Sequence, residues 1–113
     1  MGHYTIPQGL LDKVKRLMRL NDEEFETYLA SLEMEAKAYV MGLLYVDYDT
    51  LDSETQKIMN SFYLQYALYS KLEKDEISQD KLDFLNNYIQ GYNSKLEKTG
   101  KKESLILPGV RIL

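Results

Sequence analysis

The stretch NDEEFETYLASLEMEAKAYV, residues 21–40, decides the fold. Asn21, with Glu24 three residues on, has the pattern of a capping box, in which each side chain satisfies a free amide of the first turn. Asp22, Glu23 and Glu24 place negative charge at the positive end of a helix dipole. Beyond them Phe25, Tyr28, Leu29, Leu32, Ala36, Tyr39, Val40 and Leu43 recur every three or four residues, the period of an amphipathic helix. Such a helix, run from 22 to about 44, is roughly 35 Å long.

Working towards the N-terminus, Leu10, Leu11, Val14, Leu17 and Met18 keep helical spacing, while Lys13, Lys15, Arg16 and Arg19 take the other faces. Pro7 suits the first turn of this helix, where its missing N–H costs nothing. Towards the C-terminus, LYVDYDTL (44–51) reads as a loop or short extended segment. Ser53 is expected to begin a third helix, with Gln56 completing a second capping box. Ile58, Met59, Phe62, Tyr66 and Tyr69 line its apolar face, flanked by Tyr63. Residues 75–78 are expected to end it, with Ser78 capping a fourth helix and Ile77 stapled to Leu82. Leu82, Leu85, Ile89, Tyr92 and Leu96 form that helix's stripe, and Gly100 is placed to stop it. Gly91 lies inside it at a cost of about 1 kcal/mol against Ala, which suggests a close helix crossing. The expected fold is all-α: a four-helix antiparallel bundle-like domain over residues 1–100 with an extended C-terminal tail over 101–113.

That tail changes character. After the charged spacer KKE (101–103), SLILPGVRIL (104–113) is rich in aliphatic residues. Pro108 and Gly109 break any helix there. Leu105, Ile106, Leu107, Pro108, Val110, Arg111, Ile112 and Leu113 form a candidate docking strip, because an exposed apolar end invites a partner. The alternative is a tail folded back on its own domain.

Composition narrows the chemistry. The 113 residues suit one domain and contain no cysteine and a single histidine, His3. A disulfide scaffold, a thiolate metal site and a Ser-His-Asp triad are therefore outside one copy of this chain, and neither an enzyme nor a cofactor is expected. No glycine-rich phosphate loop is present. Asp47, Asp49 and Asp52 faintly suggest a calcium loop, but Leu51, Asp52 and Ile58 stand where that loop needs an oxygen ligand, glycine and glutamate. No apolar run approaches the ~20 residues of a membrane span. The N-terminus has neither a signal-peptide pattern nor a good myristoylation match, so a cytosolic origin is expected.

The net charge of −4 conceals a division. Residues 1–20 and 95–113 each carry +3, and residues 21–94 carry −10. Basic ends and an acidic body allow copies of the chain to pair head to tail. The same runs also serve as ordinary solvated helix faces. Ten tyrosines exceed what a small four-helix core needs. Tyrosine either fills the core edge with its hydroxyl in water or makes interface area at low entropic cost. Subunit contact is assigned to Lys13, Arg16, Arg19, Glu23, Glu26, Asp47, Asp49, Tyr63, Tyr66 and Tyr69.

The order of features resembles the head–tail connector (adaptor) proteins of tailed phages. The likeness is carried by LLDKVKRLMRL (10–20), the acidic break NDEE (21–24), LASL (29–32), EAKAYV (35–40) and the aromatic run FYLQYALY (62–69). It covers most of residues 8–75 and the remainder only in layout; the sequence departs from the family at Leu51-Asp52-Ser53-Glu54, where proline is frequent, and in its long, tyrosine-rich fourth helix. The resemblance implies a homo-oligomeric ring at the head–tail interface of a virion, without catalysis and without membrane contact. Portal protein docks above, a stopper or tail-completion protein below, and DNA passes through without sequence-specific binding. It also implies that residues 104–113 reach the portal. A second reading is a small helical regulatory or inhibitor protein binding one protein partner. A helix-turn-helix DNA binder using Lys13, Lys15, Arg16 and Arg19 fits less well, since the acidic junction 21–24 would face phosphates.

Overall fold

The computed structural model describes residues 6–98, and they form four helices with no strand among them: α1 (Gln8–Met18), α2 (Asp22–Met41), α3 (Ser53–Lys71) and α4 (Asp75–Lys98). The all-α bundle expected from the periodicity is the observed architecture. Residues 101–113, with the docking strip assigned to them, lie outside the described residues, as does Gly100.

α3 is the centre of the molecule. It packs most extensively on α4, next on α2, and carries α1 as well. Two apolar clusters result. In the first, Leu10, Leu11 and Val14 of α1 meet Phe25, Leu29, Leu32 and Ala36 of α2 and Leu64 and Leu68 of α3. In the second, Val40, Leu51 and Met59 meet Leu85 and Ile89 of α4. Tyr63 packs against both clusters. The principal extents are 52 × 27 × 18 Å, a flat slab with room for fewer than two full helix diameters of ~10–12 Å in its thin direction.

The helix ends explain themselves locally. The Asn21 capping box forms as expected: the Asn21 side chain accepts from the Glu24 amide at 2.8 Å, and the Glu24 carboxylate accepts from the Asn21 amide at 2.9 Å. Lys15 pairs with Asp22 across the turn from α1 to α2. α1 stops at Arg19, whose φ of 58° is left-handed, with the Arg19 and Leu20 amides turned back to Arg16 and Lys15. α3 stops the same way at Glu73, φ 61°, whose amide bonds Ser70 while that of Lys74 bonds Tyr69. Both are Schellman turns built without the usual glycine.

Several local expectations are corrected. α2 ends at Met41, not near 44, and Leu43 is exposed rather than part of the stripe. The cap of α3 is Asp52, whose carboxylate accepts from the Thr55 amide at 2.8 Å. Gln56 makes no capping box; its amide nitrogen donates to the Tyr48 and Leu51 carbonyls and closes the preceding loop. That loop holds one 3-10 turn, Tyr48–Thr50, and no extended strand. α4 starts at Asp75, so Ser78 lies in its first turn instead of capping it. The Ser78 hydroxyl donates to the Tyr66 carbonyl at 2.7 Å and pins α4 to α3. Ile77 is exposed, so no staple to Leu82 holds the entry. Gly91 marks no close crossing: a Cβ there meets nothing within 4 Å. Leu17, expected in the α1 stripe, is 56% exposed because Met18 continues the seam of Leu11 and Val14 onto the first cluster and Leu17 falls at the edge of that face.

Candidate functional site

The largest concave surface among those described lies between the first half of α2 and the second half of α3, an open groove of about 500 Å³. Tyr28, Leu32 and Glu35 come to it as one stripe of α2, since positions four and seven apart share a helix face. Tyr63, Tyr66 and Ala67 come from α3, with Ser70, Lys71 and Glu73 at the end of that helix. The rings are in register with one another. Tyr63 meets Tyr66 edge to face at 5.4 Å between centroids and lies tilted against Tyr39 at the same separation. Tyr39 is anchored in turn by its hydroxyl, which donates to Asn86 Oδ1 at 2.6 Å. The three phenols are thus half-buried and packed in series through Tyr63.

Glu35 is the charge that faces them. Burial and then the Glu35 carboxylate raise the Tyr28 phenol above its ordinary value. The same two causes, in that order, act first on Tyr63, followed by Tyr66, a hydrogen bond to Glu35 and Tyr39. Among the described residues no lysine or arginine forms an ion pair with Glu35. The groove therefore offers aromatic faces, a small apolar floor and carboxylate charge.

Of the residues assigned to subunit contact from sequence, Tyr63 and Tyr66 line this groove. Tyr69 does not; it packs against the first apolar cluster. Three-residue spacing rotates each successive side chain by about 60° around a helix, so the third tyrosine leaves the face of the first. Lys13, Arg16 and Arg19 are exposed on α1. Arg16 and Arg19 also line a shallow concavity of about 420 Å³ with Asp12, Lys15 and Leu20. Glu23 and Glu26 are exposed on α2. Asp47 and Asp49 are engaged within their own chain. Asp47 accepts from the Asp49 amide at 3.3 Å and holds the 3-10 turn, while Asp49 lies 3.7 Å from Lys37. Lys37 also sits over the Tyr48 ring at 5.4 Å. With Asp52 spent on capping α3, each carboxylate of the calcium-like loop has a local structural partner. Among the described residues no group of three or more acidic or histidine side chains is placed to hold a metal ion, and no helix is long and apolar enough to cross a membrane.

Three further side chains have structural roles that the apolar periodicity alone does not signal. Asn93 is buried at 7% exposure, donates to the Leu43 carbonyl at 3.0 Å and accepts from the Tyr45 amide at 3.1 Å. Asn86 holds Tyr39, and Glu35 sets the electrostatics of the groove. The signal for both asparagines is their register: they stand seven apart beside Leu82, Leu85 and Ile89, where α4 faces the core.

No protein-family model, curated protein or solved structure matches this chain.

Proposed function

We propose that the chain is a structural subunit that works by assembling with its own copies, as a ring-forming head–tail connector of a tailed phage. The observation that carries this reading is the separation of two complementary surfaces on one small molecule. A cationic face on α1 and a tyrosine groove bearing carboxylates on α2 and α3 belong to different regions of the same chain. Surfaces so divided favour head-to-tail contact, which closes into a ring when the rotation between neighbours permits. The order of leucine-ended helix, acidic turn, alanine-bearing long helix and aromatic third helix resembles that of the connector family, and the proposed biological setting rests on this resemblance.

In that setting the subunit sits between portal and stopper or tail-completion protein, with DNA passing through the ring. A net charge of −4 suits a conduit better than a surface that grips phosphates. Residues 104–113 supply the docking segment for the portal. The test is the size of the purified chain by light scattering, alone and mixed with portal protein. Rings, or a portal-bound assembly, are expected. Deleting 104–113 should leave a folded chain that assembles but no longer docks. A monomer that ignores portal and captures a single different protein supports the regulatory or inhibitor reading instead.

A further inference from the structure

Resting on the self-assembly just proposed, we infer that the Lys13–Arg16–Leu17 face of α1 in one copy seats in the Tyr28–Tyr63–Tyr66 groove of the next.

The donor side follows from where Leu17 falls on α1. Leu10, Leu11 and Val14 are buried and Met18 continues their seam against the first cluster, but Leu17, at the edge of that face, is 56% exposed. Lys13 and Arg16, four and one residues before it, lie together on one side of it and are exposed too. The helix thus presents an aliphatic side chain at the border of a cationic strip. Lys15 is already paired with Asp22, whereas no ion pair to Lys13 or Arg16 occurs among the described residues.

The acceptor side has the matching inventory. Leu32 and Ala67 give the groove an apolar floor for a leucine side chain, and Tyr28, Tyr63 and Tyr66 give it walls. Aromatic faces attract guanidinium and ammonium groups, and arginine stacks on them best. Glu35 and Glu73 outnumber the one cation present, Lys71. The Glu35 charge bears on two phenols with no cation paired to it among the described residues, so an incoming Arg16 supplies what the site lacks. Pairing of like faces, groove on groove or α1 on α1, would set charges of one sign against each other. The complementary arrangement is heterologous and leaves one α1 face and one groove free at every step, which is the rule for a ring or an open filament.

The absence of cysteine makes disulfide trapping clean. Leu17→Cys and Ser70→Cys both alter exposed positions, so neither threatens the fold. Mixed under mild oxidation, the two single variants should cross-link to each other faster than either does to itself. A chain carrying both should give a ladder of covalent oligomers ending at the ring size. Arg16→Glu and Glu35→Arg should each weaken association about tenfold or more, and their combination in one chain should restore it. If the unmodified chain forms oligomers but positions 17 and 70 do not cross-link, the pairing is wrong and the ring reading stands. If the chain stays monomeric at millimolar concentration, with portal absent or present, the ring reading falls and takes the pairing with it. Preferential cross-linking of Ile112→Cys to Ser70→Cys gives the groove to the C-terminal segment and also overturns the inference.

Discussion

Replacing Asn93 by alanine isolates the contact that holds the end of α2 against α4. Asn93 Nδ2 donates to the Leu43 carbonyl and Oδ1 accepts from the Tyr45 amide, so one side chain from α4 satisfies both backbone groups where α2 ends. Two hydrogen bonds at about 1 kcal/mol each, plus partial desolvation of the groups left behind, give about 2–3 kcal/mol. The upper end of the desolvation penalty does not apply, because Leu43 and Tyr45 are 42% and 44% exposed and water can reach them. For a domain this size the loss lowers the melting temperature by about 10–20 °C. Thermal melts followed by circular dichroism read the shift. Hydrogen exchange at the Tyr45 amide reads its origin, since protection there should vanish while that of the α3 amides falls only with global stability.

Asn93→Asp provides the control. The carboxylate still accepts from Tyr45 but sets a negative oxygen against the Leu43 carbonyl, so the variant should be less stable than alanine near neutral pH. Burial and that carbonyl favour the protonated acid, which raises its folded pKa above the unfolded value of about 3.9. Its stabilising form is therefore fully present below the unfolded pKa and lost as pH rises through the folded one. Stability recovered on acidification is the expected signature. An alanine variant within about 0.5 kcal/mol of wild type, the range of an ordinary surface change, would refute the reasoning.

Other substitutions follow from the same geometry. Arg19→Gly and Glu73→Gly relieve left-handed backbone at φ 58° and 61°; after the entropy glycine adds to the unfolded chain, each should stabilise by about 0.5–1 kcal/mol in urea titrations. Gly91→Ala should add about 1 kcal/mol in the same assay, since the new methyl meets nothing within 4 Å. The Asp52 carboxyl is held below its ordinary value by its hydrogen bonds with Thr55. Its contribution is therefore present above the unfolded pKa and lost as pH falls through the folded one, and Asp52→Asn, still a good cap, should flatten that acid limb of the melting-temperature profile. Glu35→Gln should bring the raised Tyr28 and Tyr63 phenols down towards 10.0 in an ultraviolet titration of phenolate. In wild type the stability these neutral phenols contribute is present below pH 10.0 and lost as pH rises through their folded pKa values, so the variant should lose it at lower pH.

The parts of the fold legible from sequence were those governed by local periodicity. Asn21 and Glu24 announce their capping box because both partners lie within one turn, and the α2 stripe of Phe25, Leu29, Leu32, Ala36 and Val40 is the buried one. The helix ends were less legible because their causes are non-local or unsignalled. α2 stops where Asn93, fifty residues on from Leu43, takes over its backbone bonds. α1 and α3 stop at Arg19 and Glu73, residues that do not advertise a left-handed turn as glycine does. Ser78 resembled a cap because serine often is one, yet its hydroxyl serves α3. For the groove, tyrosine spacing identified Tyr63 and Tyr66 but not Tyr28 or Glu35. Those two belong to a different helix, and only the packing of α2 on α3 brings them there.

The tyrosines also change the argument that their number first suggested. Tyr28, Tyr39, Tyr48, Tyr63, Tyr66, Tyr69, Tyr88 and Tyr92 are all half-buried, and Tyr45 alone among those described is exposed. Their abundance follows from the shape of the molecule. In a slab 18 Å thick few positions are far from solvent, and a side chain with an apolar body and a polar tip fits the boundary that such a slab multiplies. The count of tyrosines therefore does not by itself demand a partner. The stronger indication comes from apolar groups that have no polar tip. Met34 is 75% exposed and Met41 52%, seven residues apart on one face of α2. Ile77 and Phe84, at 40% and 62%, have the same spacing on α4. Single exposed apolar side chains are ordinary, but paired ones at heptad spacing on two helices, together with Leu17 on α1, make surfaces that assembly can bury. The proposed groove pairing accounts for Leu17 only, so assembly of the proposed kind requires further contacts to bury the α2 and α4 faces.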